Sequence, residues 1–424
     1  MIIEFSTKNF RSFHELATIS FEAEPLRSAP AHVIATEAGG LLPAVGVFGP
    51  NASGKSNLIK AIFFMWWAVQ NTNFLAQPTT KHPALRPFLL NSKAAKEPSY
   101  LQIILWDEER AAEYRYGFTI SEKEVVSEWL EVTTRVKKNR SSTMIFTREK
   151  QDFKIHKSAA KELDPLLQRV LPTALAVSVF AQFANDLAFR IVTLMSNENL
   201  VIVDSSQSVP VNDALERCAE DKDFRNRVLD LMKKADFGIL DLVVERIKIS
   251  DKELGTLPPQ VRSWANETPG MLVGVRVNTL HKVYDRPGET AIFNMNDHES
   301  AGTRHFFEMS ALMLPILESG GTLIIDELGS GLHPFITKAV VSLFQNRKTN
   351  PHGAQLLFCS HETYLLSSRA NLRRDQVWFT EKNDKEESVL RSLGEYKTRN
   401  DFEIAKNYLA GRFGAVPVTE FDEE

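Results

Sequence analysis

The chain has 424 residues, 43% hydrophobic and 25% charged, which suits a soluble globular protein of two domains or one domain with an insertion. Lys+Arg of 50 against Asp+Glu of 54, a net charge of −4 and a pI near 6.3 exclude a generally basic protein that coats nucleic acid. Its two cysteines, Cys218 and Cys359, stand far apart with no metal-ligand cluster beside them, so a disulfide framework or zinc ribbon is not expected and a reducing compartment fits.

The opening MIIEFSTKNF has no basic region followed by an apolar one, so no signal peptide is expected. The longest apolar run, Ala61 to Val69, is about half a membrane span. A cytoplasmic protein with no membrane contact is the expectation. Phe, at 27 against 7 Tyr and 6 Trp, points to packed layers more than to a base-stacking surface.

The first fifty residues read as strands. Ile3 and Phe5 alternate with polar neighbours, Ala17–Phe21 is a short apolar stretch, and Leu42–Phe48 runs apolar into a glycine. A helix is predicted from about Gly54 to Asn73. Tyr100–Trp106, Glu113–Ile120, Val125–Val136, Met144–Arg148 and Phe153–His156 read as an antiparallel meander between polar turns. Helical patterns cover about Lys157 to Met195 and Val211 to Lys234. A Pro-containing stretch between Ile249 and Met271 reads as a surface loop. The last third alternates. A helix follows Ser300, strand Thr322–Ile325 comes next, a helix follows Pro334, and strands Gln355–Cys359 and Gln376–Thr380 precede a helix over about Phe402–Gly411.

Strand–helix alternation at both ends with an antiparallel block between predicts one discontinuous α/β domain with an inserted region. The expected divisions are 1–98 (N-terminal lobe), 99–157 (meander), 158–270 (helical insertion or lid) and 271–424 (C-terminal lobe).

Gly49-Pro50-Asn51-Ala52-Ser53-Gly54-Lys55-Ser56 matches G-x-x-x-x-G-K-[ST] at every defined position, followed by Asn57 inside the predicted helix. Glycines let consecutive backbone N–H groups curl around phosphate oxygens, and the helix N-terminus adds partial positive charge. Lys55 then reaches the β- and γ-phosphates, and the Ser56 hydroxyl ligates Mg²⁺. Such a site also needs an acid at the end of a neighbouring buried strand. Thr322-Leu-Ile-Ile-Asp326-Glu327 supplies two. Alternation points them apart, so that Asp326 supports the metal and Glu327 faces an attacking water as general base.

Ser300-Ala-Gly302-Thr303 opens a long apolar helix; it is either an ordinary cap or a second anion site. His361 follows the strand Gln355–Cys359 and is either a surface histidine or a contact to the γ-phosphate.

Together these motifs resemble the ABC-type ATPase heads, including the SMC, RecF and OLD-nuclease branches, in the order P-loop, signature Ser-x-Gly, Asp-Glu and switch His. Asn9-Phe-Arg-Ser12 is similar to the opening of SMC and RecF heads. Arg86-Pro-Phe-Leu-Leu90, Glu299-Ser-Ala-Gly-Thr303, Asp326–Pro334, Arg373-Arg-Asp-Gln376 and Tyr408–Pro417 resemble the bacterial RloA/AbiL-like abortive-infection ATPases.

The resemblance implies an ABC-ATPase head with an antiparallel β-subdomain and a helical insertion. It also implies ATP and Mg²⁺ as ligands, and a homodimer or higher homo-oligomer that sandwiches ATP. By the same resemblance Lys55 and Ser56 bind phosphates and metal, Asp326 supports the metal, Glu327 is the base and His361 senses the γ-phosphate. Ser300 and Gly302 act in trans, Gln182 is the candidate amide linking Mg²⁺ to the lobes, and Arg11 is a candidate nucleotide contact.

The chain departs from the pattern in two places. The signature lacks the leading Leu of transporters, and Gly329 stands where related heads often carry Asp. No second catalytic constellation is apparent. The expected role is therefore an ATPase that controls a separately encoded effector, such as a toxin nuclease, in defence against phage. The alternative is a RecF-like DNA-binding repair ATPase using Arg135, Lys137, Lys138 and Arg140, or Arg369, Arg373 and Arg374.

Overall fold

Fully apolar strands need cover on both faces, whereas alternating strands need it on one. The computed structural model, which describes residues 1–25, 33–72, 85–136, 139–203, 212–248, 273–368, 370–396 and 403–416, contains both kinds. β1 (Ile2–Lys8) and β2 (Ala17–Ser20) form a ribbon, and the short β3 (Ile34–Thr36) and β4 (Gly39–Leu41) pair with each other. The buried β5 (Ala44–Phe48) leads into the glycine-rich loop and the helix Lys55–Gln70.

The meander is β6 (Ser99–Asp107), β7 (Ala112–Ile120), β8 (Val125–Val136), β9 (Asn139–Glu149) and β10 (Asp152–Ile155). It does not stand alone. β1 pairs antiparallel with β6, giving a seven-stranded sheet in the order β10-β9-β8-β7-β6-β1-β2.

The segment read as helical from Lys157 to Met195 is broken into shorter pieces: helix Lys157–Leu163, a 3₁₀ turn at Asp164–Arg169, and helices Ala176–Gln182 and Asp186–Leu194. Pro165 and Pro172 interrupt the hydrogen-bond ladder, and Asn185 caps a new start by accepting from the Ala188 amide. β11 (Leu200–Val203) follows. Its four residues are too few to stand out from the preceding helical pattern.

Helices Asn212–Glu220 and Lys222–Lys234 come next, the second capped by Asp221. β12 (Asp241–Lys248), β13 (Val273–Lys282) and β14 (Thr290–Asn294) form a separate antiparallel sheet. The insertion read as helical therefore carries strand as well. The loop expected at 249–271 lies outside the described residues.

The final third holds the helix Ala301–Ser319, β15 (Thr322–Ile325), the helix Pro334–Gln345, β16 (Gln355–Ser360), β17 (Val377–Lys382), β18 (Ser388–Ser392) and the helix Ile404–Leu409. The second large sheet has the order β11-β15-β16-β5-β17-β18. Its first five strands are parallel, and β18 is antiparallel to β17. Every residue of β5, β15 and β16 is buried, as a parallel sheet covered on both faces requires.

Two compact units result. One comprises Met1–Gln207, Ile316–Gly329 and Thr337–Glu424; the other comprises Ser208–Pro315 and Ser330–Ile336. In the first, one apolar core joins both large sheets to the helix Lys55–Gln70, with Phe5, Phe64, Ile103 and Leu357 among its members. The phenylalanine excess is spent here: Phe5, Phe10, Phe13, Phe48 and Phe118 are fully buried.

Buried glutamines stitch the layers. Gln355 accepts from the Ile2 amide at 2.6 Å and donates to the Ile2 carbonyl at 2.9 Å, acting as a strand partner between the sheets. Gln376 donates to the Ala44 carbonyl at 2.9 Å and accepts from the Arg373 amide at 2.8 Å. Arg373 is itself paired with Asp375. The Arg373–Gln376 motif thus anchors the start of β5. Tyr408 and Phe413 stack on Phe379 of β17.

Candidate nucleotide site

β5 delivers the chain into Gly49–Gly54, and the helix Lys55–Gln70 starts immediately. The first amides of a helix have no intrahelical acceptor and carry partial positive charge. Gly54 caps this helix with φ of 120°, a conformation that L side chains rarely adopt, and a Cβ there would meet the Ser388 and Ser12 side chains.

Hydroxyl groups brace the loop from behind. Ser388 Oγ donates to the Ser53 carbonyl at 2.6 Å and lies 2.8 Å from Ser12 Oγ, which accepts from Asn57 Nδ2 at 2.7 Å. Ser53 Oγ and Thr380 Oγ1 are 2.5 Å apart. Sequence reasoning missed Ser388 and Thr380, since a lone hydroxyl in a strand carries no signal of its target.

Lys55 Nζ donates to the carbonyls of Gly49 and Pro50 at 2.8 and 2.9 Å. Burial pulls the ammonium below the usual lysine range, opposed by charges that include Asp326 and Glu327. Asp326, 4% exposed, follows β15. It accepts from the thiol of Cys359; burial and this neighbour push that thiol well above its ordinary range.

Glu327 is exposed and takes φ of 60°, left-handed backbone for a non-glycine residue. The divergence of the two carboxylates therefore comes from a turn after the strand, not from strand alternation. The turn is tied down: Leu328 N donates to the Cys359 carbonyl at 2.8 Å, and Ser360 Oγ donates to the Leu328 carbonyl at 2.8 Å. Gly329 has φ of 103°, and a Cβ there would crowd Glu362 and Thr337. The Asp that related heads carry would be strained at this position.

Strand order sets the rest. β16 lies between β5 and β15, so His361 emerges between the phosphate loop and the carboxylate pair. Burial and the Lys55 charge hold its imidazole below the usual pKa of 6.5, against the pull of Glu327 and Asp326. Four predicted residues, Lys55, Asp326, Glu327 and His361, thus share one electrostatic neighbourhood at the carboxyl ends of three adjacent parallel strands. The Ser56 hydroxyl and the Asp326 carboxylate are the oxygen donors a divalent cation would use there.

Arg11 has φ of 50°, and its amide donates to the Arg86 carbonyl at 2.7 Å. Its neighbour Ser12 joins the bracing network, so the Asn9–Ser12 segment lies against the phosphate loop. Phe88 N donates to Asn9 Oδ1, and His14 stacks on Phe88, which accounts for the Arg86–Leu90 motif as support for this segment.

Gln182 is the last residue of helix Ala176–Gln182. Its helix is pinned where Ser178 donates to the Val69 carbonyl, nearly four turns beyond Lys55 and roughly 20 Å along that helix. Gln182 itself is exposed at the end of its own helix.

Ser300 and Gly302 belong to the second unit. Ser300 Oγ accepts from the Thr303 amide at 3.1 Å, a helix cap. A Cβ on Gly302 would come 2.7 Å from the Gly331 carbonyl, so this glycine is fixed by close backbone approach.

A lysine in a glycine-rich loop at a helix N-terminus, one strand from a buried aspartate, defines the P-loop nucleotide-binding class. The chain belongs to the ATPase family described as "AAA domain, putative AbiEii toxin, Type IV TA system", whose model matches residues 45–164 and 202–367. Among solved structures it is similar to the "SMC head domain from Thermotoga maritima", at 12% identity, over 92% of this chain and 98% of that chain, with a TM-score of 0.40. No curated protein matches the sequence. No single helix among the described residues is long and apolar enough to cross a membrane.

Proposed function

We propose that the protein binds and hydrolyses ATP as an ABC-type head and couples that cycle to a separately encoded effector. The observation that carries this reading is the convergence of Lys55, Asp326, Glu327 and His361 at adjacent strand ends. Backbone amides of Asn51–Lys55 receive the phosphates. Lys55 exchanges its loop carbonyls for β- and γ-phosphate oxygens. Ser56 and Asp326 hold Mg²⁺, which neutralises developing phosphate charge when bound. Glu327 orients a water and takes its proton at a carboxylate oxygen, and His361 donates to the γ-phosphate. Ser300 and Gly302 complete the site of a second copy, so ATP joins two protomers.

The toxin–antitoxin wording of the family description favours a role in defence; to that we add the separately encoded effector. The DNA-binding alternative loses Arg373, which is 6% exposed and paired with Asp375 inside the fold. Lys137, Lys138 and Arg369 lie outside the described residues.

The test is Glu327→Gln. It retains ATP affinity, loses turnover by about 10²-fold or more, and accumulates an ATP-bound dimer in light scattering. Normal turnover in this variant removes Glu327 as the base.

A further inference from the structure

A carboxylate three residues before a glycine that must lie flat against another backbone is well placed to set where that glycine sits. Glu299 is such a residue. It immediately precedes Ser300, and its side chain is 9% exposed. It turns away from the signature segment toward β13. Thr279 Oγ1 and His281 Nε2 both reach its Oε1, at 2.5 and 2.7 Å. Thr279 is fully buried and His281 is largely covered, its ring stacked on Phe293 of β14 at 4.8 Å between centroids. The chain between β14 and the helix is only Met295–Ser300. Its near end is fixed too, because Met295 N donates to the Val277 carbonyl at 2.9 Å. Both ends of a short connector are therefore tied to β13. All of these residues belong to the second unit.

We propose that Thr279 and His281 are positioning residues for the Ser300–Gly302 segment, acting through Glu299. The inference rests on the reading that this segment serves a nucleotide bound by another copy. Two donors on one carboxylate oxygen restrain Glu299 in place and direction, which a single bond would not. Ser300 Oγ is already engaged with Thr303 at 2.8 Å, so the cap alone fixes the serine to its own helix but not the helix start to the sheet. The Glu299 catch does the second job. It also makes the β13–β14 hairpin a lever. Displacing Phe293 from the His281 ring would loosen the catch and withdraw the signature segment without touching the phosphate loop.

The experiment uses the full chain. His281→Ala and Glu299→Ala lower ATP turnover by about tenfold or more, the scale of one lost hydrogen bond to a charged group. Their ATP affinity, measured by direct binding to the monomer, stays within about twofold, since the phosphate loop is untouched. His281→Gln, which keeps an N–H donor, recovers part of the loss. Thr279→Val, nearly isosteric, gives a smaller loss in the same direction and covers the case in which an alanine variant misfolds.

Mixing His281→Ala with Lys55→Ala then restores turnover, because one composite site holds an intact loop from the first and an intact signature segment from the second. Wild-type turnover in all three His281 and Glu299 variants overturns the inference and leaves the ATPase reading standing. A parallel loss of ATP affinity, or no recovery on mixing, also overturns it. A wild-type protein with no turnover overturns the ATPase reading, and this inference with it.

Discussion

At the scale of single residues, the site is a set of charges whose fields are felt by a histidine. His361 sits between a cation and two carboxylates, and burial and Lys55 prevail over the carboxylates, so its pKa falls below 6.5. Its contribution to stability is whole above pH 6.5 and is lost as pH falls through the lowered value. Two substitutions move the titration in opposite directions. Glu327→Gln removes a charge that raises the pKa and lowers it further; Lys55→Met removes a charge that lowers it and raises it. Ring-proton NMR of His361 in the nucleotide-free protein reads both. A shift in the same direction for both variants would show that His361 does not face these groups. The identities of these residues were legible in the sequence because each lies in a spaced motif. The left-handed turn at Glu327 was not, because its cause is the tether of the next residues to β16.

At the scale of elements, the deepest ionic contact among the described residues lies away from the phosphate loop. Glu128 of β8 and Arg148 of β9 are both fully buried and 3.2 Å apart. Glu128 also accepts from the Ala176 and Val177 amides at 2.7 and 3.0 Å and from Tyr116 Oη at 3.0 Å. Arg148 donates to the carbonyls of Ala174 and Leu171 at 2.6 and 3.0 Å. The pair plugs the chain entering helix Ala176–Gln182 into the meander.

Removing one partner strands the other. Glu128→Gln is expected to destabilise the protein by roughly 3–5 kcal/mol, the usual cost of breaking a buried pair. Glu128→Met with Arg148→Met should cost less than the sum of the two single changes. Urea unfolding of the wild type, Glu128→Gln, the two single Met variants and the double Met variant measures both, and strict additivity of the Met changes would show that the pair is not coupled.

Nothing in the sequence marked this contact. Glu128 and Arg148 read as ordinary polar positions of alternating strands, and their partners lie 20 to 50 residues on. Similar limits hid β11, β12 and β18. The four-residue β11 is identified by its pairing with β15, more than a hundred residues on, while β12 and β18 carry charged and polar residues that blur their alternation. The meander and the parallel strands β5, β15 and β16 were legible because alternation and unbroken apolar runs are local signals.

At the scale of the whole molecule, the loop and carboxylates lie in one compact unit, while Ser300 and Gly302 lie in the other. A ligand that binds only the folded protein stabilises it by RT ln(1 + [L]/Kd), about 2.7 kcal/mol at a hundredfold excess over Kd. Simple binding at the loop gives that gain at any protein concentration. Binding that also joins two copies adds a term that grows with protein concentration. The two cases separate in a melting experiment. With ATP and Mg²⁺, the Tm of Glu327→Gln should rise above the apo value and climb further as protein is concentrated. Lys55→Ala should show neither effect. Ser300→Arg keeps the loop intact and places bulk where a second nucleotide would approach. It should therefore keep the ATP-induced rise and lose the concentration dependence. A Tm of Glu327→Gln with ATP that does not change with protein concentration would mean that the head works as a monomer. The signature segment would then be an ordinary helix cap, and control of an effector would have to run through the first unit alone.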